Sequence, residues 1–442
     1  MEDRIGNSPD HLDVTSKLGD SEAIRVVDTT TPAQASHTES SMHDSTTPDH
    51  SNDHPRPHIA PSYDVVVVGA RAAGAAAAML LARRGLSVLA LDRSAYGSDT
   101  LSTHSLARVG VLQLSRWGLL ERLREEGTPA ADTVVFHYGD GPVVVDVSGG
   151  GDVDGLYSPR RTVLDRILVD EAVRSGADVV HGVSVTSLTR GRDGRVDGVR
   201  ADVAGVQRHI GARWVVGADG LRSRVAREVD AATTHVESAA AAVLYGYWTG
   251  LPGNELHNFY DQQGRAVGVI PTNDGHACVW IAGRPDELSI TGDPRSTYHE
   301  AIAGHPALAR HLRGATFVGG LRRFGGVPGF LRHPVGPGWA LVGDAGYFKD
   351  PLSAHGITDA FTSAEFLADA LDEARNGDEA AALARYGDRR DDLAAALMPP
   401  VAALAALDLD QAGVREAFGR LNAALRHEWN VVQAGRPEAL CV

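Results

Sequence analysis

The stretch Tyr63–Asp92, YDVVVVGARAAGAAAAMLLARRGLSVLALD, decides the fold of this chain. It opens with the apolar, β-branched run 63–68, which is typical of a strand buried on both faces. Residues 72–84 are almost all Ala, Leu and Met and predict a helix. The apolar run 87–91 predicts a second strand. The order strand, glycine turn, helix, strand is that of a βαβ unit.

The turn of this unit carries the glycine pattern of a dinucleotide site. Gly69 ends the first strand and Gly74 lies at the start of the helix, where free N–H groups suit a diphosphate. Asp92, at the end of the second strand, can accept hydrogen bonds from an adenosine ribose. Arg71 stands where the pattern has its middle glycine. Two readings stay open: its guanidinium helps to neutralise phosphate, or the site has become a plain βαβ unit.

Composition narrows the class of protein. The chain has 442 residues, enough for two domains, with 43% hydrophobic and 22% charged residues. Its net charge is −15 and no basic stripe stands out, so we expect no nucleic-acid partner. Cys278 and Cys441 are too few for a disulfide framework and favour a cytoplasmic location. The apolar run 72–82 falls short of the ~20 residues that cross a bilayer, and the run 393–407 is interrupted by Pro399 and Pro400, so we predict no membrane span.

A second glycine-rich turn follows the apolar strand within Arg213–Arg227, RWVVGADGLRSRVAR. The strand runs into Gly217 and then Asp219-Gly220, and a Ser- and Arg-rich helix follows. Glycines on both sides of Asp219 permit a close backbone approach, and its carboxylate can accept bonds from ribose or ribityl hydroxyls. The alternative is that Asp219 only shapes a turn.

A third turn lies in Trp339–Ala360, WALVGDAGYFKDPLSAHGITDA. A short strand meets Gly343-Asp344, so that another carboxylate stands at a strand end beside a glycine. A loop with Pro351 follows, and a helix is predicted to begin near Gly356. The start of that helix offers free N–H groups to an anionic acceptor.

Residues 239–280 predict an antiparallel sheet rich in aromatic side chains, with turns at Gln263-Gly264 and Asp274-Gly275. We predict that three tyrosines of this sheet, Tyr245, Tyr247 and Tyr260, line an apolar substrate pocket. Packing in the buried face of the sheet is the alternative role for each of them.

Together, these motifs resemble the flavoprotein monooxygenase superfamily typified by aromatic hydroxylases, which includes geranylgeranyl-reductase-like enzymes and flavin-dependent halogenases. The resemblance covers 63 to about 371 and rests on the ordered triple 69–74 with Asp92, 217–220 and 343–345. It implies an α/β fold: a three-layer Rossmann-like FAD-binding domain, an inserted antiparallel β-sheet substrate domain, and C-terminal helices.

The resemblance also divides the chain. Residues 1–62 are rich in Ser, Thr, Asp, Pro and His and predict a disordered tail without the pattern of a secretory signal. The expected FAD-binding domain is discontinuous and comprises 63–126, 157–232 and 334–376. The expected substrate domain comprises 127–156 and 233–333, and the C-terminal helical region comprises 377–442.

Family analogy assigns roles within the cofactor site. Asp92 would bind the adenosine ribose, Asp344 the ribityl chain, and Asp219 would lie near the nucleotide end. Gly356 and Ile357 would direct N–H groups at the flavin N1 and C2=O, which become negative on reduction. The full set of expected FAD contacts is Gly69, Arg71, Gly74, Asp92, Arg93, Arg108, Arg161, Asp219, Gly220, Gly343, Asp344, Gly356 and Ile357.

Two residues of the third turn are predicted to act at the reaction centre. Pro351 would flank the isoalloxazine ring. His355 could hydrogen-bond flavin or substrate, and it stands, like Ser353, where the family often has another residue. We predict no metal site.

The resemblance implies a reaction as well. Reduced FAD would react with O2 to a C4a-hydroperoxide, and one oxygen atom would enter an apolar or aromatic small molecule, as in specialised metabolism. Because only one dinucleotide fingerprint is present, NAD(P)H would bind transiently, or a separate flavin reductase would supply FADH2. A C=C reductase is the alternative. Halogenation is disfavoured because halogenases of this family rely on a lysine in the flavin domain. The only lysines here are Lys17, in the predicted tail, and Lys349, in the loop after Gly343-Asp344.

Overall fold

The computed structural model describes residues 59–138, 141–148, 153–260, 265–288 and 293–435. Within them the α-helices are α1 (Ala72–Arg83), α2 (Arg108–Arg116), α3 (Leu120–Glu125), α4 (Arg161–Arg174), α5 (Arg224–Glu228), α6 (Pro294–Ala303), α7 (Pro306–His311), α8 (Gly356–Asn376), α9 (Glu379–Ala405) and α10 (Gln411–Ala434). Short 3-10 helices cover Gly343–Ala345 and Pro351–Ser353.

The strands are β1 (Ser62–Val68), β2 (Val88–Asp92), β3 (Ala130–Ala131), β4 (Thr133–Tyr138), β5 (Gly141–Asp146), β6 (Leu156–Tyr157), β7 (Asp178–His181), β8 (Ser184–Arg190), β9 (Val196–Val203), β10 (Val206–Gly217), β11 (Thr233–Val236), β12 (Ala242–Thr249), β13 (Leu256–Tyr260), β14 (Ala266–Pro271), β15 (His276–Gly283), β16 (Thr316–Phe324), β17 (Phe330–Arg332), β18 (Val335–Gly336), β19 (Trp339–Leu341) and β20 (Tyr347–Phe348). The predicted α/β fold with several sheets and C-terminal helices is confirmed.

An eight-stranded sheet forms the centre of the first half of the fold. Its main path is β18-β19-β10-β1-β2-β7, and the β8-β9 pair continues from β10. The pairs from β19 to β7 are parallel, as the predicted βαβ unit requires. Along β1, Val65 and Val67 pack under the helices, whereas Val66 and Val68 pack on the opposite face. This strand is therefore buried on both faces, as its sequence predicts.

Helices cover one face of the eight-stranded sheet. The Ala-rich α1 packs between α4 and α8, with α9 against α8 and α10 against α9. The other face is covered by β8, β9 and the short α5. Among the helices in the described part of the chain, none combines the length and the apolarity needed to cross a bilayer.

A seven-stranded sheet, β16-β12-β15-β14-β13-β4-β5, forms the second half of the fold. Its neighbours are antiparallel, as predicted, except for the parallel pair β13 and β4. That exception arises because the β4-β5 hairpin comes from a much earlier part of the chain and adds to the edge of the later sheet. One face packs against α6 and α7. The other face carries Tyr245 and Tyr247 and packs against Leu352, which lies in the 3-10 helix Pro351–Ser353.

The predicted turns have different outcomes. Asp274 and Gly275 both have φ of +64 and join two antiparallel strands, which confirms that turn. The Gln263-Gly264 turn lies outside the described residues, as do residues 1–58 of the predicted tail, Lys17 and Cys441. The predicted tail boundary at 62 is shifted by the structure, because β1 already begins at Ser62 and Pro61 accepts a hydrogen bond from Gly211.

Candidate functional site

The three glycine turns of the sequence lie along one edge of the eight-stranded sheet. Val68 is in register with Gly217 on one side and with Leu91 on the other, and Gly217 is in register with Leu341. Because these four strands are parallel, their carboxyl ends meet at the same edge. The turns that begin at Gly69, Gly217 and Gly343 are therefore neighbours, although about 274 residues separate the first from the last.

Close backbone contacts lock these turns together. Gly69 has φ of +100, and a Cβ there would lie 2.4 Å from the Ala218 oxygen. A Cβ on Gly74 would lie 1.8 Å from the Gly69 oxygen and 3.1 Å from the Ala218 Cβ. A Cβ on Gly343 would lie 2.9 Å from the Ala73 Cβ. Glycine is therefore required where each turn packs on the next.

The start of α1 offers open backbone N–H groups at this edge. Arg71 is the N-cap residue and makes no side-chain cap hydrogen bond, so the first-turn amides have no partner from a cap. Its guanidinium turns away and binds the Asp165 carboxylate at 3.0 Å and the Ser98 carbonyl at 3.0 Å. This pairing ties the turn to α4 and to the chain after β2, and both readings of Arg71 made from the sequence stay open.

The Asp92 carboxylate binds backbone N–H groups around the first glycine turn. Asp92 is 6% exposed, and its two oxygens accept hydrogen bonds from the N–H groups of Ala70 at 2.8 Å and Ser94 at 2.7 Å. This carboxylate therefore fixes the first turn against the end of β2. Its predicted contact with a ribose stays a prediction.

The predicted arginine contacts lie in different surroundings. Arg161 forms two hydrogen bonds with Asp165 at 3.0 and 3.1 Å. Arg108, the first residue of α2, donates to the Val147 carbonyl at 2.8 Å and stacks on Trp429. Arg93 is exposed. Their roles at a cofactor stay predictions.

Asp219 acts as a local acceptor at the start of α5. It accepts hydrogen bonds from the Ser223 hydroxyl at 2.5 Å and the Arg224 N–H at 2.6 Å, with a longer one from Val225 at 3.3 Å. Gly220 follows with φ of +74, which suits a tight turn. The turn-shaping role that the sequence left open is thus the one visible in these contacts.

Asp344 differs because no hydrogen bond to its carboxylate occurs among the described residues. Burial, helped by the nearby charge of Asp359, raises the pKa of Asp344 to about 6. Close by, α8 begins at Gly356 with no side-chain cap, so the amides of Gly356 and Ile357 stay open. This end of the edge therefore presents one carboxyl group and open backbone donors.

A closed group of charges lies behind α8. His355 is 2% exposed, and its Nε2 lies 3.0 Å from Glu428 Oε1 and 3.9 Å from Asp359. The Lys349 ammonium binds Asp359 at 2.8 Å. Ligand-type atoms of the two acids and the histidine lie within 4.8 Å of one another, a spacing that could hold a metal ion. The lysine already neutralises Asp359, and the prediction of no metal site stays untested.

Pro351 begins the 3-10 helix that precedes these residues, and its neighbour Leu352 packs toward the seven-stranded sheet. The two residues predicted to be catalytic therefore have different surroundings. The His355 ring faces acidic residues, whereas the Pro351 segment faces the seven-stranded sheet. The catalytic role of both residues stays a prediction.

The junction between the two sheets holds a pair that sequence reasoning missed. His104 is 1% exposed with φ of +71, an uncommon conformation for a residue with a side chain. Its Nε2 lies 2.7 Å from the Tyr247 hydroxyl, whereas its buried Nδ1 has no hydrogen-bond partner among the described residues. Next to it, the Ser102 N–H donates to the Tyr245 hydroxyl at 3.0 Å.

Arginines surround this pair. The Arg160 guanidinium lies 4.0 Å from the centre of the Tyr247 ring and 3.3 Å from Asp99, which also binds Arg322 at 2.6 Å. Burial, with repulsion from Arg160, lowers the pKa of His104 to about 3. Burial raises the pKa of Tyr247 well above its ordinary value. Near neutral pH the pair is therefore a neutral imidazole and a protonated phenol.

The FAD binding domain family matches residues 62–399. The chain belongs to this family. It is 29% identical to digeranylgeranylglycerophospholipid reductase 2 of Methanopyrus kandleri over 347 residues, which are 74% of this chain and 82% of the relative. The resemblance found in the sequence is thereby confirmed, and this flavoenzyme is an FAD-dependent oxidoreductase.

Comparison with solved structures shows which proteins share the fold. The flavoenzyme is similar to the flavin-dependent brominase Bmp2, with a TM-score of 0.72 and 20% identity over 84% of this chain and 93% of the brominase. It is also similar to PqsL, a probable FAD-dependent monooxygenase from Pseudomonas aeruginosa, with a TM-score of 0.66 and 22% identity over 81% of this chain and 100% of PqsL. Likeness at such identity shows the fold alone.

The residues at the edge of the eight-stranded sheet fit FAD. The Gly69 turn and the uncapped start of α1 match a diphosphate, the Asp344 carboxyl matches a hydroxyl donor, and the uncapped start of α8 matches an electron-rich ring edge. When bound, FAD would supply electron transfer to or from a substrate.

A mainly apolar cleft lies between the seven-stranded sheet, the Pro351 segment and the C-terminal helices. Tyr260 and Ala266 of the seven-stranded sheet, Leu352 of the Pro351 segment and Phe418 of α10 are on its wall. The rest of the lining is Arg265, Leu404, Leu407, Leu409 and Val414. Tyr260 lies on the wall of this cleft, whereas Tyr245 and Tyr247 lie deeper, at the junction with His104; the predicted role of the three tyrosines in a substrate pocket stays a prediction.

Proposed function

We propose that this flavoenzyme is an FAD-dependent reductase that adds hydrogen across a carbon–carbon double bond of an apolar organic substrate. The observation that carries the proposal is the buried pair of His104 and Tyr247, because a double-bond reduction needs a proton source beside the hydride donor. The similarity to an enzyme named as a reductase, over most of both chains, also supports it.

The substrate would bind between the seven-stranded sheet and the C-terminal helices. The cleft there is lined mainly by leucine, valine, alanine and aromatic side chains, which favour an apolar molecule and exclude water. Leu352 belongs both to this lining and to the apolar cluster that includes Tyr247. A substrate entering along Leu352 would approach the tyrosine from the cleft.

The chain's own residues can complete the proton transfer. FAD held at the edge of the eight-stranded sheet would supply the hydride chemistry, and the Tyr247 hydroxyl would donate the proton that the second carbon of the double bond needs. The Arg160 guanidinium over the ring would stabilise the phenolate that remains. His104, with its Nε2 at 2.7 Å from the Tyr247 oxygen, would orient the hydroxyl, and the phenolate would take a proton back from solvent once the product has left the cleft.

Hydroxylation with O2, predicted from the sequence, is the second candidate. The aromatic side chains Tyr260 and Phe418 on the cleft wall favour it, because they suit a flat aromatic substrate. Halogenation is not proposed, since the Lys349 ammonium is held by Asp359 and has a side-chain exposure of only 2%. Whether NAD(P)H reduces the flavin directly or a separate reductase supplies FADH2 is a question for the same assay.

Oxygen uptake separates the two reactions. We expect the protein, given NADH or NADPH and a panel of apolar alkenes, to form a product heavier by two hydrogen atoms without substrate-dependent O2 consumption. O2 consumption with a product heavier by one oxygen atom would overturn the proposal in favour of hydroxylation. If neither nicotinamide supports turnover but chemically reduced FAD does, a partner reductase is required.

Tyr247→Phe tests the proton source. The variant should keep bound FAD and reduce its substrate about 10²- to 10⁴-fold more slowly, because it lacks the hydroxyl proton. Tyr298→Phe is the matched control, since Tyr298 is a buried tyrosine on the opposite face of the seven-stranded sheet, where its hydroxyl donates to the Val279 carbonyl. Equal rates for the two variants would remove Tyr247 from the mechanism.

A further inference from the structure

The last described helix carries an unexpected buried acid. Helix α10 lies beyond residues 62–399, the part of the chain that the FAD binding domain family matches. Its Glu428 is 1% exposed, whereas Glu416 on the same helix is exposed. A buried carboxylate is costly unless a charged or hydrogen-bonding partner meets it. The burial of Glu428 therefore calls for a partner on a neighbouring element.

That partner is His355, immediately before α8. Its Nε2 lies 2.9 to 3.0 Å from the Glu428 oxygens, so the Nε2–H donates to the carboxylate. The donation places the proton on Nε2 and fixes the plane of the ring. His355 is the N-cap residue of α8, so it directly precedes the open amides of Gly356 and Ile357 in the chain.

Further charged side chains connect this contact with the edge of the eight-stranded sheet where FAD is expected to bind. Asp359, on the first turn of α8, lies 3.9 Å from the His355 Nε2 and binds the Lys349 ammonium at 2.8 Å. The charge of Asp359 also contributes to the raised pKa of Asp344. Glu428 is thus one member of a connected group of charges that ends at the carboxyl group expected to meet the ribityl chain.

We infer that Glu428 is a positioning residue of the flavin site: through its hydrogen bond it fixes the His355 ring and the position of the ring proton at the start of α8, so a helix outside the family match tunes the cofactor. The inference rests on FAD binding at the edge described above. It does not depend on whether the enzyme reduces double bonds or inserts oxygen.

The first measurement reads His355 directly. In nitrogen-15 NMR of the histidine-labelled holoenzyme, with the resonance assigned through His355→Gln, we expect the wild type to carry the His355 proton on Nε2. Glu428→Ala should lose this preference, whereas Glu416→Ala should keep it. An unchanged His355 signal in folded Glu428→Ala would overturn the inference.

The second measurement reads the flavin. In Glu428→Gln, which keeps the shape and an acceptor oxygen, the midpoint potential should shift to more positive values, because the group of charged side chains at the start of α8 loses one negative charge. Glu428→Ala should also bind FAD about tenfold more weakly. Glu416→Gln is the control for the charge change. A potential equal to that of the control contradicts the inference, even if Glu428→Ala fails to fold.

These outcomes stay separate from those of the FAD assignment. If the wild type itself shows no FAD binding by fluorescence quenching, the cofactor site is wrong and the variants are not needed. If the wild type binds FAD and only the Glu428 variants behave like their Glu416 controls, the site stands and the role of α10 is excluded.

Discussion

Asp219 and Asp344 follow neighbouring parallel strands, β10 and β19, and each stands beside a glycine. In the sequence the two positions look alike. In the structure the Asp219 carboxylate accepts hydrogen bonds from Ser223 and Arg224. The Asp344 carboxylate accepts none within the described ranges, and burial raises its pKa to about 6. One carboxylate is used by its own turn, and the other is available to a ligand.

The difference comes from the chain that follows each aspartate. After Asp219 the chain turns at Gly220 and begins α5, whose first N–H groups point back at the carboxylate. After Asp344 the chain continues in a 3-10 helix and the short strand β20, which pairs with β17. The backbone N–H groups of this segment therefore do not bind the Asp344 carboxylate. Topology brings both acids to the same edge, and local structure decides which of them already has hydrogen-bond donors.

The largest expected effect comes from Gly74→Ala, which forces a methyl group into the contact between the start of α1 and the turns at Gly69 and Ala218. The new Cβ would lie 1.8 Å from the Gly69 oxygen, a distance that the backbone must open. We expect urea denaturation to show a loss of at least about 3 kcal/mol in the free energy of unfolding, or no folded protein. Gly419→Ala is the control: it lies in α10 with open space around it and should gain up to about 1 kcal/mol.

Asp344→Ala sharpens the comparison at the cofactor. Removing an available acceptor should weaken FAD binding about 10- to 100-fold, because a charge-assisted hydrogen bond is lost. Fluorescence quenching titrations measure the dissociation constant, and circular dichroism should show an unchanged fold. FAD affinity equal to the wild type would mean that Asp344 is not a cofactor ligand.

Asp219→Ala should behave in the opposite way. Losing the acceptor at the start of α5 should lower the free energy of unfolding by about 1 to 2 kcal/mol, since the Ser223 hydroxyl and the Arg224 amide lose their partner. FAD affinity should stay that of the wild type. If this variant instead loses FAD as Asp344→Ala does, the two carboxylates share one role and the comparison fails.

A smaller effect is expected with pH. The pKa of Asp344 is raised from 3.8 to about 6 in the folded protein, so the folded state holds this proton more tightly than the unfolded chain. The resulting stabilisation is complete below about pH 4 and is lost as the pH rises through about 6. Relative to Asp344→Asn, the wild-type apoprotein should therefore lose about 1 to 2 kcal/mol between these limits, after solvent screening.

Urea denaturation of both apoproteins across this range measures the difference. Taking the difference removes the contribution of Asp350, whose pKa is also raised to about 6 by burial. Parallel curves for the two proteins would show that Asp344 titrates as an ordinary exposed carboxyl group.

Much of the first half of the fold could be predicted from the sequence. The helix predicted over 72–84 is α1, Ala72–Arg83, and the helix predicted near Gly356 begins at that residue. These features depend on neighbours a few positions away, through propensity, glycine turns and periodicity, so the local sequence contains the information. The order of the three turns then indicated the family, which the match over 62–399 confirms.

The contacts on which the proposals depend could not be found in this way. Tyr247 is 143 residues from His104, and Glu428 is 73 residues from His355. No local pattern marks either pair. The backbone of His104 has φ of +71. The sequence does not predict this conformation, because positive φ is expected at glycine and this position holds a histidine.

The amino-acid sequence by itself therefore determined the βαβ unit, the three glycine turns and the flavoprotein family, because backbone geometry and hydrogen bonding between near neighbours fix them. Only the tertiary structure decided which strand-end carboxylate is available, which histidine meets a tyrosine and which acid supports His355. Those choices depend on burial and on side chains that distant segments bring together, and the free energy of such contacts exists only once the sheets and helices have packed.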